Sequence, residues 1–294
     1  MPRKCSRRWV SVTELSVIDL NDWPGFERRR LQGAAGPLSI RIGNPAAAET
    51  VLFNHSILTS SAIWHRQAQL LAKAGWRVIC LDSRGHGESA APPAPYTMDD
   101  LVRDNIAVLD ALEIAKTHYV GVSQGGMTGF GLGIRYPDRI ASLLICAARA
   151  DAPPPFAAAW DDRIALVRDK GIDALARPTA ERWFGGEFLA NHTIVAEKLV
   201  ACIRQTSTEG FVGCAQAIQG LNYLGNVSEL KLPISLVIGS RDELLIEPMR
   251  QLAKTLSHSN YTKIEGAGHL PQLDKPDEFD HALLWHLRSY PPSP

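Results

Sequence analysis

Ser123 stands in "VGVSQGGMTG", residues 120–129, between Gly121, Gly125 and Gly126. The strand-like run "THYVGV" leads into it, and small and apolar residues at helical spacing follow. A strand–serine–helix turn of this kind exposes a hydroxyl as a nucleophile. That hydroxyl is weak at neutral pH and needs a base within reach and an acid to orient the base. For this type of turn the partners are expected downstream, acid first and histidine second. "LVIGSRDEL" places Asp242 after an apolar run, and "KIEGAGHLPQLDKP" places His269 in a glycine-flanked loop after another. Ser123, Asp242 and His269 are therefore the expected catalytic set. Each also has a plainer role open to it. Asp242 could cap the helix that follows, with Glu243 as a spare carboxylate. His86, in "RGHGES", is the nearest rival base, but it precedes the serine and reads as a tight-loop residue.

Acyl transfer also needs donors aimed at the developing oxyanion. The amide of the residue after the nucleophile, Gln124, is one, and the loop after an early strand supplies the other. "VLFNHSILTSSAIW" is that loop and points to the amide of Ile57. Ser56, just before it, is small enough for close backbone approach, and its hydroxyl could face substrate.

These groups need a frame. "LSIRIG", "TVLFNHS", "WRVICLDS", "THYVGV", "IASLLICAA", "PISLVIGS" and "YTKIEGA" read as strands. Helix-like segments alternate with them, including "TMDDLVRDNIAVLDALEI", where Thr97 is the expected N-cap. That alternation predicts a mostly parallel, doubly wound α/β sheet. Residues 152–228 break the rhythm with helices only, predicting a helical cap inserted into a core made of residues 26–151 and 229–294. Trp160, Trp183 and Phe184 in that stretch either line the pocket or pack the cap, packing being the commoner fate of such residues.

The 294-residue chain has 31 basic and 31 acidic side chains, so its charge suggests no nucleic-acid partner. No apolar run is long enough to span a bilayer, so no membrane association is expected. Cys5, Cys80, Cys146, Cys202 and Cys214 lack metal-site spacing, and free thiols in a reducing cytoplasm are expected. No metal or cofactor is called for. The basic "MPRKCSRRWV" has no apolar segment after it, so residues 1–25 read as a mobile, solvated extension rather than a secretion signal.

"DSRGHGESAAPPAPYTMDDLVRD", "YVGVSQGGMTG", "YPDRIASLLIC", "IGSRDEL" and "GAGHLPQLDKPDEF" resemble α/β-hydrolase-fold enzymes over roughly residues 26–288. Within that superfamily the chain is most similar to 3-oxoadipate enol-lactonases, through "ERWFGGEF", "TSTEGFVGCAQAIQGL" and the serine-containing loop "NHSILTSSAIW". The resemblance implies Ser123 as nucleophile, Asp242 as acid, His269 as base, and Ile57 and Gln124 as oxyanion donors. It implies a cofactor-free serine hydrolase acting on a small ester or lactone. Departures are Gln124 where enol-lactonases usually have Met, Leu58 where they usually have Gly, and "CAARAD" in place of an Asn-Thr segment; all three touch the pocket. A carboxylated lactone would need a cation, for which Arg149, Arg182 and Arg204 are the candidates, Arg149 first. C–C bond hydrolysis and perhydrolase or haloperoxidase-like chemistry share this scaffold, and a ligand sensor with little turnover is an alternative of another class.

Overall fold

The computed structural model describes residues 17–21, 23–256 and 258–290. In chain order the elements are β1 (Phe26–Gly33), β2 (Gly36–Gly43), β3 (Thr50–Asn54), α1 (His65–Lys73), β4 (Arg77–Leu81), α2 (Met98–Ala111), β5 (Thr117–Val122), α3 (Gln124–Arg135) and β6 (Ile140–Cys146). Five helices follow without a strand: α4 (Pro154–Lys170), α5 (Asp173–Phe184), α6 (Gly186–Asn191), α7 (Thr193–Arg204) and α8 (Thr208–Gln219). Then come β7 (Ile234–Gly239), α9 (Glu243–Thr255), β8 (Asn260–Ile264), α10 (Pro271–Asp274) and α11 (Pro276–Ser289).

All seven runs expected as strands enter one eight-stranded sheet of order β1-β2-β4-β3-β5-β6-β7-β8. The eighth, β1, is an edge strand paired antiparallel to β2 across a two-residue loop. Its arginines lie mostly on exposed or half-exposed positions, which hides it from a search for apolar runs. From β4 to β8 every pairing is parallel. Strands β3, β5 and β7 are buried at every residue, as a sheet covered on both faces requires. Because β4 and β5 flank β3 on opposite sides, the strand order reverses there, and the loops after β3 and β5 face one another. Such a reversal is where ligands bind in open α/β sheets. Thr97 caps α2 with a full capping box shared with Asp100.

The helical insertion leaves and returns at one place. Asp151 bridges to Asn222, and the Tyr223 amide donates to Ala150 O at 2.7 Å. The start of α8 is pressed onto the core, where Ser207 donates to Gly85 O through both its amide and its hydroxyl. The expectation of a mobile extension over residues 1–25 needs correction. Residues 1–16 lie outside the described residues, but Ile18 and Trp23 are buried in the core. Arg41 covers the Trp23 ring at 4.7 Å and donates to Leu20 O at 2.5 Å, so apolar burial and a cation–π contact hold this segment down.

Beneath the sheet runs a buried chain of alternating imidazoles and hydroxyls. His118 Nδ1 lies 2.6 Å from Ser142 Oγ, which lies 2.7 Å from His286 Nε2, and His286 Nδ1 lies 2.7 Å from Ser235 Oγ. Burial pushes His118 down to about 4 and His286 to about 3. Burial likewise pushes His55 to about 4 and His86 to about 3. In each case the unfolded chain takes up the proton first, near pH 6.5. The stability these neutral rings contribute is therefore complete above about pH 6.5 and is lost as pH falls toward their folded values. Urea unfolding is expected to show a loss of at least about 2 kcal/mol between about pH 7 and about pH 5, with His286→Leu flattening that dependence. An unfolding free energy that is level across this range would refute the assignment.

Candidate active site

The turn between β5 and α3 is shaped by clearances. Ser123 has φ 55° and ψ −116°, a conformation costing about 1–3 kcal/mol for a residue with a side chain. It is held by Ser123 N–H to Cys146 O at 2.8 Å and by Met127 N–H to Ser123 O at 2.9 Å. A Cβ on Gly121 would fall 2.3 Å from Gly125 O, and one on Gly125 would fall 2.3 Å from Asn54 O. The glycines thus let β5, the turn and the end of β3 meet in backbone contact. The Gly125 amide completes the contact by donating to His55 O at 3.1 Å.

The loop after β3 is braced by two neutral imidazoles. His55 Nε2 accepts the Ser83 N–H at 2.9 Å, and His86 Nε2 accepts the Leu58 N–H at 3.0 Å. A ring nitrogen that accepts a backbone N–H must carry a lone pair, so both protons sit on Nδ1. His55 Nδ1 then donates to Ser56 O at 2.7 Å, and His86 Nδ1 to Arg84 O at 3.1 Å. This makes His86 a brace for the loop, not a base. Leu58, with φ 67°, turns its amide onto His86 and leaves the Ile57 amide without an acceptor among the described residues. Gln124 is the first residue of α3, so its amide has no acceptor within the helix. Its side chain donates to Cys214 Sγ on α8 at 3.1 Å, tying the turn to the insertion. The Ser56 hydroxyl is buried without a partner.

Asp242 follows β7, and His269 lies in the loop after β8. Asp242 Oδ2 is 2.7 Å from His269 Nδ1, with side chains 9% and 12% exposed. The Asp242 side chain makes no cap bond to α9, which removes the plainer role, and Glu243 is exposed. Nδ1–H donating to the carboxylate leaves His269 Nε2 with its lone pair. No hydrogen bond joins Ser123 to His269 among the described residues; such bonds are often long before substrate arrives. Trp183 from α5 lies 5.4 Å from the His269 ring, and its carbonyl accepts the His269 amide at 3.0 Å.

The arginine candidates separate clearly. Arg149, the first choice by sequence, is taken: it bonds Asp151 Oδ1 at 2.9 Å and Asp151 O at 2.6 Å, and stacks on Phe156 at 4.4 Å. Its strand-end position was legible, but not the neutralising carboxylate two residues on. Arg204 pairs on the surface with Asp173. Arg182 has no ion pair among the described residues. It is pushed down to about 10, chiefly by burial and further by Arg163, with Asp242 opposing. Arg182 is nonetheless exposed. Arg163, which sequence reasoning missed, lies over the Trp160 ring at 4.6 Å. Trp160 itself is buried against Phe156 and Phe211, and Phe184 stacks on Phe188, so both pack the insertion. An open cleft of about 370 Å³ at the β1 edge, lined by Trp23, Arg28 and Arg41, contains none of these groups. No set of three metal-ligating side chains occurs among the described residues, and no helix among them is long and apolar enough to cross a membrane.

The chain belongs to the α/β-hydrolase fold family, whose model matches residues 49–276. Within it the chain is enol-lactonase-like and is a hydrolase. It is 32% identical to 3-oxoadipate enol-lactonase 2 of Acinetobacter baylyi, over 79% of this chain and 86% of the relative. The enol-lactonase of Burkholderia xenovorans LB400 superposes with a TM-score of 0.83 at 27% identity, covering 88% of this chain and 100% of that one. A thermophilic esterase of Thermogutta terrifontis gives 0.82 at 27% identity, over 90% and 99%.

The clearances make a local prediction. Gly125→Ala should lower stability by about 1–3 kcal/mol or more, because neither Asn54 O nor the turn can give way. Gly225→Ala, which meets open space, should leave the melting temperature within about 2 °C. Equal melting of the two variants would contradict the backbone contact described.

Proposed function

We propose that Ser123, Asp242 and His269 act as a catalytic triad and that the protein hydrolyses a small ester or lactone through an acyl-enzyme. The observation that carries this reading is the Asp242–His269 hydrogen bond, in a chain that also holds a serine in a strained strand–helix turn. His269 Nε2 takes the Ser123 proton as Oγ attacks the carbonyl carbon. Negative charge moves to the carbonyl oxygen, which the Ile57 and Gln124 amides receive. Each such donor is typically worth about 3 kcal/mol in the transition state. His269 then protonates the leaving oxygen; in a lactone that alcohol stays tethered to the acyl group. A water deprotonated by His269 releases the acid and restores Ser123. Asp242 keeps the proton on Nδ1 and stabilises the imidazolium.

Ser123→Ala is expected to lower kcat on short acyl esters by at least about a thousandfold with little change in stability. Asp242→Asn and His269→Ala should be severely impaired, His269→Ala the more so, because Asn favours the wrong tautomer. Near-normal esterase activity in purified Ser123→Ala would end the assignment, and a crippling Glu243→Gln beside an active Asp242→Asn would move the acid.

Arg182 supports a substrate class. An exposed cation with no ion pair among the described residues, which feels the charge of Asp242, suits a substrate carboxylate, which could not be buried unpaired without a cost of several kcal/mol. That agrees with the enol-lactonases the chain is similar to. A panel of neutral esters, simple lactones and carboxylated enol-lactones tests it. Arg182→Ala should raise KM for the carboxylated lactone roughly tenfold to a hundredfold and spare neutral esters. A wild type that prefers neutral esters, with a ratio unmoved by Arg182→Ala, would point instead to a general esterase. The four described cysteines are free, which agrees with a reducing cytoplasmic setting.

A further inference from the structure

Three segments distant in sequence meet behind His269. Arg241 directly precedes Asp242, and Gly268 directly precedes His269. Asp274 Oδ2 accepts the Gly268 N–H at 2.6 Å and faces the Arg241 guanidinium at 3.7 Å. The same guanidinium donates to Phe184 O at 3.3 Å, and Trp183 O accepts the His269 amide. Trp183 and Phe184 end α5, where carbonyls have no acceptor role left within the helix. The Arg241 amide adds a bond to Ala267 O at 2.9 Å. The Asp274 side chain is 1% exposed, and its Oδ1 is buried without a partner. A carboxylate so poorly satisfied is a costly way to fill space, and an apolar side chain would pack there more favourably.

We propose that Arg241 and Asp274 form a positioning clasp that holds the Asp242 loop, the His269 loop and the end of α5 in one geometry, and that the clasp loosens when Asp274 takes up a proton. Its catalytic consequence rests on the triad reading above. Burial pushes Asp274 up to about 6, against the Gly268 N–H, Arg241 and Lys275. The buried Cys146 thiol is pushed up, chiefly by burial and further by Asp242 and Asp274, and His269 lies beside Asp242. Protonation removes the charge that Arg241 faces and weakens the acceptor of the Gly268 amide. Neither residue touches the reacting atoms.

The test compares wild type with Asp274→Asn, Arg241→Gln, Arg241→Lys and the double variant Asp274→Asn/Arg241→Gln, using p-nitrophenyl acetate across about pH 5 to about pH 8. Above pH 7, Asp274→Asn and Arg241→Gln should each lower kcat about tenfold with KM within about twofold. Arg241→Lys should retain most activity, and the double variant should be no worse than either single one. The ratio of wild type to Asp274→Asn should fall toward unity below about pH 6, because protonated Asp274 and Asn carry the same charge. A packing role alone would leave that ratio constant with pH, and independent roles would make the losses multiply; either result overturns the clasp. Arg241 is half exposed, so its variants keep the test open if Asp274→Asn fails to fold. Hydrogen exchange separates the clasp from the triad. Faster exchange of the Gly268 and His269 amides in Arg241→Gln, by about tenfold, supports the clasp even if Ser123→Ala leaves turnover intact, and unchanged exchange refutes it.

Discussion

The backbone contact between the carboxyl ends of β3 and β5 is the constraint on which the rest depends. Ser123 cannot keep φ 55° by its own preference, so its surroundings must hold it. They do so by leaving no room for relaxation. Gly125 touches Asn54 O and donates to His55 O, Gly121 touches Gly125 O, and β6 accepts the Ser123 amide. The same contact sets Ile57 and Gln124 on neighbouring backbones. The strained serine and the pair of amides without acceptors among the described residues are thus two results of one strand reversal.

Protonation state divides the histidines. His55, His86, His118 and His286 are buried and held neutral, and two of them must be neutral because their Nε2 atoms accept backbone N–H groups. His269 keeps partial exposure and has a carboxylate on Nδ1, an environment the four braced rings lack. One residue type therefore serves as rigid bracing in the loop after β3 and as the proposed proton carrier after β8. Solvent and partner decide between these uses; residue type does not.

This explains which parts were legible in the sequence. Runs such as "THYVGV" and "SLVIG" are buried on both faces and carry their own signal, whereas β1 has arginines on a solvent edge and carries none. The strained turn at Ser123 and the Asp242–His269 pair were legible because strand ends followed by glycine or a turn mark where loops converge. The bracing function of His55 and His86 was not, since it depends on amides 28 residues away. Arg149 misled for a related reason. Its position at the end of β6 was read correctly, but a charge is free only when nothing nearby neutralises it, and Asp151 does. Arg163 and Arg182 lie on different helices, and only the packing of α4 on α5 makes them neighbours.

The insertion is tied into the core beside the proposed catalytic residues. Cys214 on α8 receives the Gln124 side chain, and the last carbonyls of α5 receive the His269 amide and the Arg241 guanidinium. A helical layer that merely shielded the sheet would need apolar contacts, not polar bonds to residues beside the proposed nucleophile and base. The α5 end also points its partial negative charge at the His269 loop, where a helix C-terminus favours positive charge. Imidazolium formation in the proposed mechanism would therefore meet a dipole already oriented to receive it. A shift of α5 would disturb that field and the placement of His269 together.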